Sequence, residues 1–221
     1  MPSWLQLMAD SFWSLLSAGL TFTVPLAILS FILGLMIGVL VALLRLYGPK
    51  SLKRICDFYV WVIRGTPLLV QLFLIFYGLP NAGITLDAFP AALIGFSLNV
   101  GAYSSEIVRG AILSVPRGQW NAAYSLGMSG AQAIRWVIVP QSVFVSLPPL
   151  ANTFISLVKD TSLAAVITVP EMFLAAQRIV SVTYEPLILY VEAALIYLLF
   201  STVLSKLQTW LEKYYQRHIV H

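Results

Sequence analysis

Between Thr21 and Leu44 the chain carries no charged side chain. A helix of about 20 such residues is long enough to cross the hydrocarbon core of a bilayer. Strongly apolar runs recur at roughly 59–80, 90–113, 141–169 and 187–204. The chain is 59% hydrophobic and 10% charged, against about 45–50% and about 25% in an average soluble domain. A water-soluble core of this size cannot hide that much apolar surface. In lipid every backbone polar group must be satisfied internally, which helices do within one segment. The sequence therefore predicts an all-α integral membrane protein, a single transmembrane domain over residues 1–221 with five spanning helices.

The placement of charge orients those spans. The first Lys or Arg is Arg45, so the N-terminus lacks the basic start of a cleaved signal peptide and the first apolar run is expected to stay. Arg45, Lys50, Lys53 and Arg54 gather around Gly48-Pro49. Arg109 and Arg117 precede the segment 118–140, Arg135 lies within it, and Lys206, Lys213 and Arg217 follow the last span. The loop from Asn81 to Phe89 holds Asp87 and no basic residue. By the positive-inside rule the N-terminus is expected outside and the C-terminus in the cytoplasm. The net charge of +4 is thus a topology signal, and no nucleic-acid partner is expected. Trp4, Trp13 and Asp10 read as an interfacial segment, and Trp210, Tyr214 and Tyr215 as an interfacial tail.

Enzyme chemistry has no visible support. There is no phosphate-binding glycine loop ending in Lys-Ser or Lys-Thr, and no histidine near a nucleophile. The single cysteine, Cys56, excludes an internal disulfide and a cysteine metal cluster. His218 and His221, in the tail, are poor candidates for catalysis or a buried metal site. No catalytic residue, metal or cofactor is expected.

Polar residues inside the spans mark candidate sites. Arg64-Gly65-Thr66-Pro67 interrupts the second span. Thr66 suits an N-cap and Pro67 the first helical position, so two helices are expected, one skirting the membrane and one spanning. The break reads either as a pivot or pathway element, or as a snorkelling Arg64. In the third span Gly95, Asn99, Tyr103, Glu106 and Gly110 share one helical face. That face suits a subunit contact or a pathway lining, and Glu106 can pair with Arg109 as a packing brace. In the fourth span Asn152, Lys159 and Asp160 are polar. Lys159 and Asp160 could present opposite charges to a zwitterion or be neutralised by neighbouring helices. Pro148-Pro149 is expected to kink or restart this span. Gly34 and Gly38 form a small-residue pair that either lets another helix approach or simply faces lipid.

The segment 118–140 is the longest stretch that reads as neither span nor hairpin. It is expected to form a short helix over Gln119 to Met128, a turn permitted by Gly127 and Gly130, and an approach to the next span ending at Pro140. Asn121-Ala122-Ala123, Gly127, Val137, Val139 and Pro140 resemble the coupling motif of ABC-importer permeases. That motif reads Glu-Ala-Ala, three residues, Gly, nine residues, Ile, one residue, Leu-Pro. Asn121 stands where Glu is usual, and Val137 and Val139 replace Ile and Leu. RGTPLLVQLFLIFYGLP (64–80) and LVKDTSLAAVI (157–167) also resemble spans of the polar amino-acid permeases, the latter most closely the cystine type.

The resemblance implies the type I ABC importer permease fold, five transmembrane helices with a short cytoplasmic coupling helix, in a bacterial cell membrane. It implies a second permease subunit, identical or related, two cytoplasmic ATP-binding subunits and an external solute-binding protein, all beside membrane lipid. ATP would be bound by the partner chains. Coupling would fall to Gln119, Asn121, Ala122, Ala123, Ser125, Leu126, Gly127 and Met128. Asn99, Tyr103, Glu106, Asn152, Lys159 and Asp160 are the candidate pathway, and the cargo would be a polar amino acid of the L-cystine kind. The alternative is a self-contained channel or ion-coupled carrier, in which Glu106, Lys159 and Asp160 would form an ion or proton relay.

Overall fold

The computed structural model describes residues 4–217. The tail histidines His218 and His221 lie outside the described residues. Helices account for almost all of the chain, and no strand occurs among the described residues. Four helical runs, 4–47, 88–114, 130–167 and 186–213, are each long and apolar enough to cross a membrane. The helix pair 50–65 and 68–82, bent by 107° at its break, brings the number among the described residues to five when it is counted as one broken span.

The first helix begins earlier than the charge-free run predicts. α1 (Trp4–Ala18) joins α2 (Val24–Tyr47) through a π-helical turn at Gly19–Thr23. Trp4 and Trp13 therefore sit on one continuous helix with the first span rather than on a separate segment. Pro25 falls in the first turn of α2, where its missing N–H and fixed φ cost least. The last helix, α10 (Pro186–Arg217), likewise runs on through the stretch expected to be a tail.

α5 (Ala88–Ser114) is the hub. It lies along α2, with small residues setting the separation. A Cβ on Gly34 would come within 2.6 Å of the Val100 Cβ, and one on Gly38 within 2.7 Å of the Ser104 Cβ. Lipid tails are as apolar as leucine, so no hydrophobic force drives spans together in a bilayer. Close van der Waals packing through small residues takes its place. α4 (Leu68–Phe73) packs on another side of α5, with Leu72 over Gly95. Leu26, Leu72, Phe96, Leu157 and Ile167 meet in the central core, and the rings of Phe31 and Phe154 pack edge to face at 5.1 Å.

α8 (Val139–Asp160) lies within a longer run than the expected start near Gln141 or Leu147 allows. The run opens with α7 (Gly130–Ala133) and a π turn at Ile134–Ile138, and ends in a 3₁₀ stretch at Thr161–Ile167. Pro148 and Pro149 lie inside α8 without ending it. Each proline leaves the carbonyl four residues before it without a helical donor, a loss that helices packed in lipid tolerate; Thr153 Oγ1 donates to the Pro149 carbonyl, and the Gln208 amide donates to that of Pro148 and ties α10 to this stretch.

α9 (Met172–Thr183) packs between α1 and α10 around Leu15, Met172, Ala176 and Ile196. Glu171, the residue just before α9, is fully buried. Its carboxylate caps α9 by accepting from Phe173 N (2.9 Å) and Leu174 N (2.7 Å), and it also accepts from the Tyr197 hydroxyl (2.7 Å). Burial raises the Glu171 carboxyl above its ordinary value, and the bonds from Phe173, Tyr197 and Leu174 pull it part of the way back. Glu192 on α10 accepts from Ser11 Oγ on α1 at 2.5 Å.

Candidate functional site

The break after α3 (Lys50–Gly65) is built differently from the expected N-cap. Thr66 and Pro67 are both extended, and α4 begins at Leu68. The Thr66 hydroxyl turns back and donates to Val62 O at 2.8 Å. Pro67 offers its carbonyl to Val70 N and Gln71 N. The buried Gln71 ties the two halves together. Its amide donates to Ile63 O (2.8 Å), Thr66 O (3.1 Å) and Thr66 Oγ1 (2.9 Å). A helix end inside an apolar layer needs partners for its last carbonyls, and Gln71 supplies them. Its signal in the sequence is a lone amide in an otherwise apolar run, four residues after Pro67.

This break forms one wall of a cavity of about 500 Å³. Thr66 and Pro67 line it together with Asn99 and Tyr103 of α5, and with Asn152, Thr153, Ser156 and Asp160 of α8. Four of the six residues expected along a pathway thus converge from two helices. The guanidinium of Arg64 lies over the Tyr103 ring, 5.2 Å from its centroid, which places a cation beside the cavity's edge. Thr153 and Ser156 complete the polar lining; single hydroxyls in an apolar run do not stand out in the sequence.

Glu106 and Lys159 do not line the cavity. Glu106 is held in an ion-pair network. It accepts from Arg45 on α2 and from Arg109 Nη2 at 2.7 Å, and Arg45 Nε also bonds Asp57 Oδ1 on α3 at 2.7 Å. The Glu106–Arg109 pairing is present as expected, but the structure extends it to α2 and α3. Lys159 is exposed one position from Asp160, and adjacent helical positions point about 100° apart. The relay of Glu106, Lys159 and Asp160 is therefore not assembled. Along the expected stripe, Gly95 receives Leu72, Asn99 and Tyr103 face the cavity, Glu106 is ion-paired, and Gly110 meets nothing within 4 Å.

The segment after α5 carries a compact cap. α6 spans Arg117–Ser125, shorter than the expected Gln119 to Met128. It ends in a Schellman motif: Met128 N donates to Ala123 O (3.1 Å) and Gly127 N to Tyr124 O (2.9 Å), with Gly127 at φ 77°. Ser129 and Gln132 then form a capping box that opens α7. Gly127, not Gly130, is the residue whose backbone demands glycine. Ala123 is 2% exposed and Leu126 is 78% exposed. Gln119, Asn121, Ala122 and Ser125 are exposed as well, so α6 offers them outward while Ala123 packs inward. Gln119 Oε1 also accepts from the Gln141 amide at 3.2 Å, anchoring α6 to the base of α8.

Residues 34–217 match the family described as "Binding-protein-dependent transport system inner membrane component". The chain belongs to this family. It is 50% identical over 215 residues to the L-cystine transport system permease protein TcyB of Bacillus subtilis (strain 168), covering 97% of this chain and 92% of that one. It is 37% identical over 201 residues to the glutamine transport system permease protein GlnP of Escherichia coli (strain K12), covering 90% of this chain and 92% of that one. A crystal structure of an amino acid ABC transporter with histidines superposes with a TM-score of 0.90 at 37% identity, covering 96% of this chain and 99% of that chain. The MetNI methionine ABC transporter, at 18% identity, shares the fold with a TM-score of 0.72 over 92% of this chain and 97% of that one. The fold is that of a type I ABC importer permease. Family membership makes the chain a membrane transport subunit rather than an enzyme, and it implies ATP-binding partner chains and a second permease subunit.

Proposed function

We propose that this chain forms, with a second permease subunit, the membrane pathway of an ATP-driven amino-acid importer whose cargo is of the L-cystine kind. The 50% identity to an L-cystine permease over 97% of the chain carries this reading. The chemistry of the cavity agrees with it. Asp160 offers a carboxylate for an α-ammonium group. Arg64, stacked on Tyr103, offers a cation for an α-carboxylate, and Asn99, Asn152 and Ser156 offer neutral hydrogen bonds. A zwitterion satisfied in this way costs less to bring into an apolar layer than one left unpaired.

In this reading the N-terminus is outside, the C-terminus and α6 are cytoplasmic, and the basic loops follow the positive-inside rule in a bacterial inner membrane. An external solute-binding protein delivers cargo. ATP is bound and hydrolysed by partner chains, which seat the outward residues of α6, Gln119, Asn121, Ala122, Ser125 and Leu126, in a groove. The Schellman turn at Gly127 and the Gln119–Gln141 bond make α6 and the base of α8 move together. Closure of the ATPase pair then reaches Asn152, Ser156 and Asp160 at the far end of the same helix. Such coupling needs an element with two arrangements that both sites bias, and the 107° break provides a hinge on the facing wall.

The test is ATP-driven uptake by the complete complex in vesicles, with a panel of radiolabelled amino acids. Accumulation of labelled cystine above glutamine, histidine and methionine is expected, and it should vanish without ATP or without the binding protein. Uptake that persists without any ATPase, or no amino-acid uptake at all, overturns the proposal.

A further inference from the structure

α3 has three distinct faces. Cys56 and Val60 pack against Val41 of α2. Leu52, Ile55 and Phe58 form a diagonal apolar ridge and are 41%, 62% and 63% exposed, and Trp61, 71% exposed, falls where that ridge winds into the charged face. At 3.6 residues per turn, Lys50, Lys53, Arg54, Asp57 and Arg64 fall on a third face about 100° wide. The one acid on that face, Asp57, is bonded to Arg45. Among the described residues no carboxylate lies within ion-pair distance of Lys50, Lys53 or Arg54.

We propose that α3 lies in the headgroup layer and binds anionic phospholipid, with Lys50, Lys53 and Arg54 on the headgroups and Leu52, Ile55 and Phe58 in the acyl boundary. Uncompensated positive charge beside an exposed apolar ridge is the pattern of an interfacial helix on an acidic surface. Trp61 and Phe58, with ring centroids 5.9 Å apart, supply the aromatic body that favours headgroup depth. A protein partner would have to bring both an acidic strip and an apolar groove in register, whereas an anionic leaflet presents the two chemistries already layered. The helix ends at Gly65, one residue before the extended link that lines the cavity. Lipid held on α3 therefore fixes one arm of the hinge.

The test measures lipid selectivity and involves neither cargo nor ATP, so its failure is distinct from failure of the transport reading. The intact complex is placed in mixed vesicles, and spin-labelled phosphatidylglycerol is compared with spin-labelled phosphatidylcholine in the motionally restricted shell. The natural chain should prefer phosphatidylglycerol, and added salt should erode the preference. K50Q/K53Q/R54Q should lower it by about threefold or more, while K206Q/K213Q on α10 should leave most of it in place. The proposal is overturned if the natural chain shows no salt-sensitive preference or if the α3 variant keeps it. It is also overturned if that variant dissociates from the partner chains with selectivity unchanged, which would mark the face as a protein contact.

Discussion

The Arg64 guanidinium and the Tyr103 ring face each other at 5.2 Å across the gap between the broken helix and α5. The pair joins the end of α3 to a residue that lines the cavity. A cation–π contact at an exposed site is worth about 0.5–1 kcal/mol, and more once water is excluded. Tyr103→Phe keeps the ring and should leave the initial rate of ATP-driven uptake within about twofold of the natural chain. Tyr103→Ala and Arg64→Gln should each lower it by about fivefold or more. Equal rates for all three variants would show that the stacking does not contribute to transport.

Gly34 and Gly38 make a separate prediction, about stability. The atoms facing them, the Cβ atoms of Val100 and Ser104, sit where an added methyl would have to go. Overpacking of this kind costs about 1–3 kcal/mol. Gly38→Ala should lower the melting temperature of the purified permease in detergent by several degrees. Gly110→Ala is the control, since nothing lies within 4 Å of that position. It should be neutral, or stabilising by up to about 1 kcal/mol through helix propensity.

These residues also show what the amino-acid pattern could reveal. Gly34 and Gly38 offer a close helix pair because their spacing is local, although two lipid-facing glycines would read the same, and Arg64-Gly65-Thr66-Pro67 announces a break because proline and glycine act on their own backbone. What the pattern hides is the destination of side chains. Thr66 reads as a cap, but its hydroxyl bonds the preceding helix, because Gln71 already closes the gap. Glu106 and Arg109 are neighbours by spacing, yet Arg45 reaches Glu106 only through the packing of α2 on α5. The double proline reads as a kink or a restart, and only the packed structure shows the helix running on through it. Ala122 and Ala123 are adjacent and chemically identical; which one faces inward depends on how α6 docks on its own chain.

Gly127 should be irreplaceable in a way that Gly130 is not. Its φ of 77° is left-handed, and an L side chain there costs about 1–3 kcal/mol. A Cβ added at Gly127 would meet nothing within 4 Å, so the penalty is conformational rather than steric. Gly127→Ala should loosen the Schellman turn and reduce cargo-stimulated ATP hydrolysis in the assembled complex several-fold. Gly130→Ala should leave it near the natural value.

The opposite exposures of Ala123 and Leu126 separate folding from docking. Leu126→Asp places a charge on an outward residue and should cut recovery of the ATPase with an affinity-tagged permease, without changing the permease's own melting temperature. Ala123→Asp buries an unpaired carboxylate, which costs several kcal/mol, and should lower the melting temperature as well. If Leu126→Asp still recovers the ATPase in full, α6 is not the docking element.

The Arg45–Glu106–Arg109 network gives the sharpest choice between a brace and a relay. Removing Glu106 strips Arg109 of its acid and leaves Arg45 with Asp57 alone. In a fully buried network, loss of one member costs about 3–5 kcal/mol. These side chains are partly exposed, so water screens the loss and about 1–3 kcal/mol is the expected size. Glu106→Gln should therefore lower the melting temperature while uptake survives when assayed well below it. Arg109→Gln should be milder, because Glu106 keeps Arg45. A relay behaves otherwise: its loss abolishes transport at every temperature, whether or not the protein remains folded. Uptake measured against temperature in Glu106→Gln, beside the melting curve of the same preparation, decides between the two.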